Sequence, residues 1–181
     1  MSWQIDPAHS QISFTVRHMM ISNVHGRFED FTGEVNFDET NPKNSSVEVK
    51  ITTSSINTRE AQRDAHLKSP DFLNSDKYPY ITFKSKRLEK VDDSRGRIVG
   101  DLTICDVTKE VVLEVEYAGQ SKNPWGKISA GFEATTKINR KDWGLGWNVA
   151  LETGGWLVGD MINVNIDLEI TKLSETVKTE A

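Results

Sequence analysis

The stretch RDAHLKSPDFLNSDKYP, residues 63–79, holds the side chains of this chain that most resemble a reactive site. Asp64, His66 and Ser69 are the residue types of a hydrolase relay, in which a carboxylate orients an imidazole that activates a hydroxyl. Asp64 and His66 lie two positions apart, however, and such residues point in different directions on a helix. Ser69 suits the role of a helix cap better than that of a nucleophile. We therefore predict no catalytic residues.

A metal site is the second chemistry that the sequence suggests. His18 and His25 flank the segment MMISNV, whose turn would bring both histidines to one rim, and Met19 and Met20 would add soft sulfur ligands for copper or zinc. No cysteine or group of carboxylates completes this ligand set, so we predict no bound metal. The glycine-rich stretch 144–160 lacks the lysine and the strand-to-helix setting of a phosphate loop, so we predict no cofactor.

Composition and charge exclude several classes of function. The chain has 181 residues and a net charge of -5 with no run of Lys and Arg, which argues against a nucleic-acid partner. No segment approaches the roughly eighteen consecutive apolar residues of a membrane span. The N-terminus has no basic start followed by an apolar run, so we expect a cytoplasmic protein if the chain begins at Met1. Cys105 is the single cysteine, which excludes an intrachain disulfide.

An alternation of apolar and polar residues with period two is the dominant pattern of the chain. Ile12, Phe14 and Val16, for example, alternate with polar neighbours. Such a segment forms a strand with one buried and one solvated face, which is typical of antiparallel sheets. Strands are predicted at 11–17, 27–37, 47–52, 79–88, 98–104, 111–117, 126–138 and 162–170. Turn residues at 91–97 and 118–127 separate neighbouring strands.

Helix is scarce in this pattern. The best candidate is 57–67, where Asn57 is placed to cap the helix and Glu60 to return the hydrogen bond. The segment 69–75 predicts one short helical turn, with Ser69 as its cap.

Long amphipathic strands with little helix are compatible with two architectures, a sandwich of two sheets or a closed barrel. The barrel is favoured because closure removes the edges that long strands would expose. We predict an all-β fold, an eight-stranded antiparallel barrel with one helix and a short helical turn. It spans residues 1–173 and is followed by a disordered tail, 174–181. We expect Arg63 and Asp71 to tie the helix to the following turn. A barrel of this size is filled by its own side chains or holds one small ligand.

Five segments together resemble the YceI-like family. They are IDPAHSQISFTVRH (5–18), HGRFEDFTGEV (25–35), RDAHLKSPDFLNSDKYPYITFKS (63–85), INRKDWGLGW (138–147) and LVGDMINVNIDLEI (157–170). The resemblance runs from about Trp3 to Lys172. It implies a lipocalin-like barrel whose apolar lumen holds a long-chain isoprenoid or a similar fatty amphiphile, and it implies a homodimer. Many members are exported to the periplasm, whereas no leader is visible here.

The inward faces of the predicted strands supply the expected ligand contacts. These are Phe14, Val16, Phe37, Ile51, Phe83, Ile104, Val115, Ala130, Phe132 and Ile166. His18, Met19 and Trp147 are predicted to lie at the rim. Small inward residues, Gly33, Gly100, Ala130 and Ala134, are expected to leave room for the ligand.

The predicted function is binding, sequestration or transport of a long-chain isoprenoid or similar lipid, without catalysis. One alternative is an enzyme that acts on an isoprenoid-quinone-like substrate, with a rim histidine as acid or base. The other is a stress-response interaction module whose packed interior holds nothing.

Overall fold

The computed structural model describes residues 3–173, so the disordered tail predicted for 174–181 lies outside the described residues. The described chain forms eleven strands and one α-helix: β1 (Gln4–Ile5), β2 (Gln11–His18), β3 (Ser22–Phe28), β4 (Phe31–Asn36), β5 (Ser46–Thr52), β6 (Ile56–Asn57), α1 (Ala61–Lys68), β7 (Tyr80–Lys90), β8 (Arg95–Ile104), β9 (Val107–Lys122), β10 (Lys127–Asn139) and β11 (Val158–Leu173). Short 3-10 turns lie at Pro7–His9, Pro42–Asn44, Thr53–Ser55 and Arg140–Trp143.

The strands form one antiparallel sheet in the order β4-β5-β7-β8-β9-β10-β11-β2-β3-β6, and β1 pairs with β11. The sheet closes on itself because β3 and β4 follow one another as a bent strand, and β5 and β6 form a second bent strand beside it. Phe28 of β3 lies opposite Ile56 of β6, and Phe31 of β4 lies opposite Ile51 of β5. A bridge from Trp3 to β4 brings β1 between β4 and β11.

The predicted antiparallel barrel with one helix is confirmed, although the strand count differs. Three barrel strands are each broken into two segments. The break between β1 and β2 is the turn Pro7–His9, the break between β3 and β4 falls at 29–30, and the break between β5 and β6 is the turn Thr53–Ser55. Each break bends a long strand, which a strand needs in order to follow the curved wall of a barrel. The predicted strand 27–37 therefore covers the end of β3 and all of β4.

Two clusters of buried side chains lie in the barrel. Near α1, Leu73, Ile138, Trp143 and Leu145 belong to the larger cluster, and the Trp143 Nε1 donates to the Leu102 carbonyl at 3.0 Å. At the opposite end, Trp3, Ala130 and Ile170 form a smaller cluster with neighbouring aromatic residues. Buried side-chain nitrogen and oxygen atoms within residues 3–173 all have a hydrogen-bond partner.

Arg140 organises the long loop between β10 and β11. Its side chain is 2 % exposed. The guanidinium donates to four carbonyls, those of Leu145 at 2.6 Å, Trp147 at 2.9 Å, Gly159 at 2.9 Å and Val158 at 3.4 Å. Burial lowers the pKa of Arg140, while the carboxylate of Asp160 opposes that shift. The loop is thus built around one buried cation.

The helix begins later than the pattern predicts. α1 has Glu60 as its N-cap, whereas Asn57 was the predicted cap of a helix over 57–67. Thr58 explains the later start. Its backbone amide donates to the Asp64 carboxylate at 2.9 Å, which keeps Thr58 in the segment before the helix. No helix within residues 3–173 is long and apolar enough to cross a membrane.

The predicted tie between Arg63 and Asp71 is wrong. Arg63 instead donates to the Thr58 carbonyl at 2.7 Å, and the Asp71 carboxylate lies 2.9 Å from His66 Nε2. The helix and the following turn are therefore joined by the pair of His66 and Asp71. Leu73 in that turn is buried in the larger cluster.

Candidate ligand-binding site

The barrel contains a cavity of about 550 Å³. Apolar side chains from the strands around the barrel line it, among them Ile12, Phe31, Val49, Ile98, Leu113 and Ala134. Its volume lies within the range of roughly 300–1,000 Å³ that is typical of small-molecule sites. The interior is thus only partly filled by its own side chains.

The cavity opens at the end of the barrel that lies away from α1. Its polar lining residues come mainly from loop 37–46, between β4 and β5, and from segment 90–96, the turn between β7 and β8. The α1 end is closed by the larger buried cluster, in which Leu73 and Trp143 are packed. The site is therefore an apolar chamber with a polar opening at this end.

Phe37 anchors the loop beside this opening. Its ring centroid lies 5.6 Å from that of Trp3, 5.7 Å from that of Tyr117 and 5.2 Å from that of Phe132. Aromatic pairs at such separations contribute about 0.5–1.5 kcal/mol each beyond the area they bury. Phe37 and Phe132 line the cavity, so the aromatic cluster forms part of its wall.

A polar contact fastens the same loop to the barrel. The Glu39 carboxylate accepts a hydrogen bond from Lys172 Nζ at 2.8 Å and another from the Gln120 side chain. Both bonds lower the pKa of Glu39, and the bond from Lys172 has the larger effect. Lys172 Nζ also lies 4.5 Å from the centre of the Trp3 ring. The loop is therefore held to β9 and to β11.

The turn on the other side of the opening is built around Asp92. Its carboxylate accepts from the Ser94 amide at 2.9 Å, from the Arg95 amide at 2.8 Å and from the Arg95 Nε at 2.8 Å. The bond from the Ser94 amide and the bond from the Arg95 side chain lower the pKa of Asp92 to about 2. The ionised carboxylate thus holds the turn in shape.

We expect the Asp92 carboxyl to titrate near pH 2 in a carbon-13 NMR experiment, and Arg95→Gln to raise that midpoint. A carboxyl whose pKa is lowered in the folded state stabilises the fold above its ordinary value of 3.8. That contribution is lost as the pH falls from there through about 2. A midpoint close to 4 in the native protein would contradict the hydrogen bonds described for this turn.

The structure places six of the ten predicted contact residues on the cavity wall. They are Phe37, Ile51, Phe83, Val115, Phe132 and Ile166. Five of them lie on the inward faces of strands, as the alternation predicts, and Phe37 follows the end of β4. Their contact with a ligand stays a prediction.

The other four, Phe14, Val16, Ile104 and Ala130, do not line the cavity. Phe14 packs against Phe28, with ring centroids 5.7 Å apart, and Ile104 is buried in the larger cluster. Val16 lies between Val24 and Ile162, near the α1 end. Ala130 faces inward but is fully buried with Trp3.

Gly33 and Gly100 were expected to leave room for a ligand, but they instead allow other side chains of the protein to approach closely. A Cβ atom at Gly100 would lie 2.6 Å from the Phe83 ring, and one at Gly33 would lie 2.8 Å from Ile5 Cδ1. Ala134 does line the cavity. Of the small residues, Ala134 is thus the one that keeps space open.

The predicted rim residues lie at the α1 end, away from the opening. The Met19 amide donates to the Leu157 carbonyl at 2.8 Å. The ring of Trp147 lies 4.5 Å from that of His66. His18 pairs with Val158 at the start of β11. None of the three lines the cavity, so the prediction of a rim at these residues does not match the position of the opening.

The two histidines considered as metal ligands lie on different faces of the β2–β3 hairpin. His25 pairs with Thr15, while His18 follows Val16 on the other face. One-residue differences in register change the face of a sheet. His18 and His25 therefore do not converge.

The residues of the hydrolase relay are engaged elsewhere. Ser69 Oγ donates to the His66 carbonyl at 2.6 Å, and the Asp64 carboxylate accepts from Thr58. The His66 ring contacts Asp71 rather than Asp64. Asp64, His66 and Ser69 thus form no relay.

Asp6, His9 and Glu169 form a further cluster of ionisable groups. His9 Nδ1 lies 2.8 Å from an Asp6 oxygen and 3.2 Å from a Glu169 oxygen. The hydrogen bond to Asp6, more than the charge of Glu169, raises the pKa of His9. One imidazole nitrogen thus lies within hydrogen-bond distance of both carboxylates.

Several cavity residues were not singled out in the sequence although their signal was present. Ile12, Val49 and Leu113 lie on the same alternating faces as the predicted contacts. The rest of this loop, 38–46, carried no such signal, because its position at the opening depends on the packing of Phe37 among residues distant in sequence.

The fold and the cavity define a class, a small lipocalin-like antiparallel barrel with an apolar interior. The model of the YceI-like domain matches residues 3–170. The chain therefore belongs to the YceI-like family, which confirms the resemblance seen in its motifs.

Individual relatives agree with this assignment. Protein YceI of Shigella flexneri is 46 % identical over 137 residues, which cover 76 % of this chain and 71 % of the relative. The crystal structure of a Campylobacter jejuni YCEI protein is 36 % identical, with a TM-score of 0.76 and coverage of 87 % of this chain and 90 % of that one. A polyisoprenoid binding domain from Saccharophagus degradans, 13 % identical, shares the fold, with a TM-score of 0.67 over 94 % of this chain and 98 % of that one.

Proposed function

We propose that this protein binds the apolar chain of an isoprenoid or a similar amphiphilic lipid inside its barrel. The observation that carries the proposal is the cavity of about 550 Å³, whose wall is apolar and whose opening is polar. An apolar chain gains about 0.8 kcal/mol per methylene when it leaves water, which favours transfer into such a chamber. A polar opening suits the head group that the same molecule must keep solvated.

The name of the Saccharophagus degradans domain supports the ligand class, because that domain, described as polyisoprenoid binding, shares this fold. The cavity also bounds the size of the enclosed chain. At about 30 Å³ for each water-sized group, a volume of about 550 Å³ admits roughly eighteen carbon-sized groups. We therefore propose that about this length of chain is enclosed, and that a longer lipid extends through the opening.

The proposal predicts that purified protein carries lipid. Native mass spectrometry of protein from a lipid-replete cell should show one bound lipid per chain, and organic extraction should release it. The extracted protein should then bind added geranylgeraniol, a twenty-carbon isoprenoid alcohol. Protein that carries no lipid and does not bind geranylgeraniol would refute the proposal and favour an interaction module.

Transport, a role in stress response, a cytoplasmic location and the homodimer stay predictions of the sequence. Light scattering tests the homodimer, and fractionation of the source cells tests the location. Because Asp64, His66 and Ser69 do not form a relay, we propose binding without catalysis. A quinone-like substrate that is chemically changed on incubation with the protein would contradict that part of the proposal.

A further inference from the structure

The hairpin that joins β9 to β10 extends past β8 at the end of the barrel where the cavity opens. The ladder between β8 and β9 stops where Arg95 lies opposite Glu116, whereas the ladder between β9 and β10 continues to Lys122 opposite Ile128. The six residues from Glu116 to Lys122 span roughly 20 Å of extended strand. Residues 118–127, which we call the hairpin tip, therefore project beside the opening.

The hairpin tip presents Trp125 to solvent. This residue is 78 % exposed, more than any other tryptophan of the chain, and Gln120 of the same tip lines the opening. The Oδ1 atom of Asn123 accepts hydrogen bonds from the Trp125 amide at 3.0 Å and from the Lys127 amide at 2.8 Å. The turn thus fixes the backbone of Trp125 in advance, so binding through this residue orders little further backbone.

The charged residues of the hairpin tip are both cations. Lys122 is exposed, Lys127 is half-buried, and the segment 118–127 contains no acidic residue. The ion pairs among residues 3–173 include neither of these two lysines. Their positive charges are therefore available to an anionic partner.

The charge of the opening end differs in sign from that of the whole chain. The three segments around the opening, 37–46, 90–96 and 118–127, carry five cations and four carboxylates, a net charge of +1, whereas the whole chain carries -5. Charges separated by more than about 8 Å are largely screened at physiological ionic strength. A negatively charged surface is therefore best approached with the hairpin tip in front.

A second group of exposed apolar side chains lies at the α1 end, on segments 19–21 and 149–156. It includes Met20 and Trp156, and Met20 lies against Gly155, so the two segments are in contact. These segments carry one carboxylate, that of Glu152, and no lysine or arginine. This face is apolar but has none of the cations that an anionic surface attracts.

We propose that the hairpin tip docks this protein on an anionic lipid bilayer, with the Trp125 ring among the head groups and the two lysines against their phosphates. Tryptophan is enriched at this level of a membrane because its ring is apolar and its N–H group is polar. Lysines near an anionic leaflet add electrostatic attraction. The inference goes beyond the proposed function, because the tip binds the surface whether or not the cavity holds a lipid.

Flotation with vesicles tests the docking. The protein should float with vesicles of phosphatidylglycerol and phosphatidylcholine, and less with vesicles of phosphatidylcholine alone. Trp125→Ala should weaken binding to the anionic vesicles by at least about tenfold, a difference of about 1.4 kcal/mol. The matched control is Trp156→Ala, which removes an exposed tryptophan at the α1 end and should bind as the parent does. If the control loses as much affinity, or if the parent does not float, the proposal is overturned.

A second pair of variants tests the lysines. Lys122→Gln with Lys127→Gln should weaken binding to the same anionic vesicles by about tenfold, since each cation near the surface adds to the attraction. The matched control, Lys84→Gln with Lys109→Gln, removes the same charge from exposed positions away from the cavity lining. An equal loss in the control would show that net charge, and not the hairpin tip, causes the binding, and would overturn the proposal.

The docking and the cargo are tested separately. Lipid-extracted protein and protein loaded with geranylgeraniol should float to the same extent. Flotation of a protein that does not bind geranylgeraniol would refute the proposed function and support the docking. Binding of geranylgeraniol by a protein that does not float would have the opposite meaning.

Discussion

Ala134→Phe is expected to abolish ligand binding while the protein remains folded. Ala134 lines the cavity on β10, where it pairs with Val115 of β9 and Ile166 of β11, which also line it. A phenyl ring at this position enters the space that the lipid chain would occupy. It buries apolar area in a void, so the free energy of unfolding should change by less than about 1 kcal/mol. Affinity for geranylgeraniol should fall by at least about a hundredfold. The measurement is a titration of the lipid-extracted protein with geranylgeraniol, followed by tryptophan fluorescence.

Ala130→Phe is the matched control on the same strand and the same face. Ala130 has no exposed surface and lies in a cluster with Trp3 and Ile170. A ring added there overfills a packed region and should reduce the free energy of unfolding by about 1–3 kcal/mol. Urea unfolding of the two variants separates the cases. If Ala134→Phe is the more destabilised of the two, the cavity is not open space.

Arg140→Ala is expected to cause the largest loss of stability in this chain, about 3–5 kcal/mol. The substitution removes the buried guanidinium and leaves the carbonyls of the loop before β11, such as those of Leu145 and Trp147, without their donor. Buried carbonyls without a partner are costly, because water does not replace the lost hydrogen bonds. Arg140→Lys should recover only part of the loss, since one ammonium group cannot match the fork of a guanidinium.

The control for Arg140 is its neighbour in sequence. Lys141 Nζ lies 3.3 Å from the same Asp160 carboxylate, but the side chain is exposed. Lys141→Ala should therefore cost less than about 1 kcal/mol in urea unfolding. A similar loss for both variants would mean that the charge facing Asp160, and not the buried hydrogen bonds, stabilises the loop.

The barrel could be predicted from the sequence because its signal is local. Alternation marks each strand wherever one face is buried, and the predicted strands 79–88 and 126–138 fall within two residues of Tyr80–Lys90 and Lys127–Asn139. The helix start was missed because Thr58 is held by side chains that follow it, an arrangement that competes with helix propensity. The local sequence pattern thus predicts where the strands lie more accurately than where an element begins or ends.

The position of the cavity could not be predicted in the same way. Phe14 and Ile12 share a face of β2, yet Ile12 lines the cavity and Phe14 packs against Phe28. Alternation shows which side chains point inward but not which of them fill the interior. That outcome depends on residues distant in sequence, as when Trp3 covers Ala130. The opening was missed for the same reason.

The contacts of loop 37–46 bear on how quickly a cargo leaves. A chain in the cavity would pass the segment that Phe37 holds among three aromatic rings and that Glu39 fastens to Lys172. Widening of the opening would require these contacts to break together, and such loop movements set the rate of many release steps. The dissociation rate would be a property of the protein and would not rise with the concentration of acceptor vesicles. A protein built in this way would set the residence time of a bound chain through its own loop, separately from the affinity for that chain.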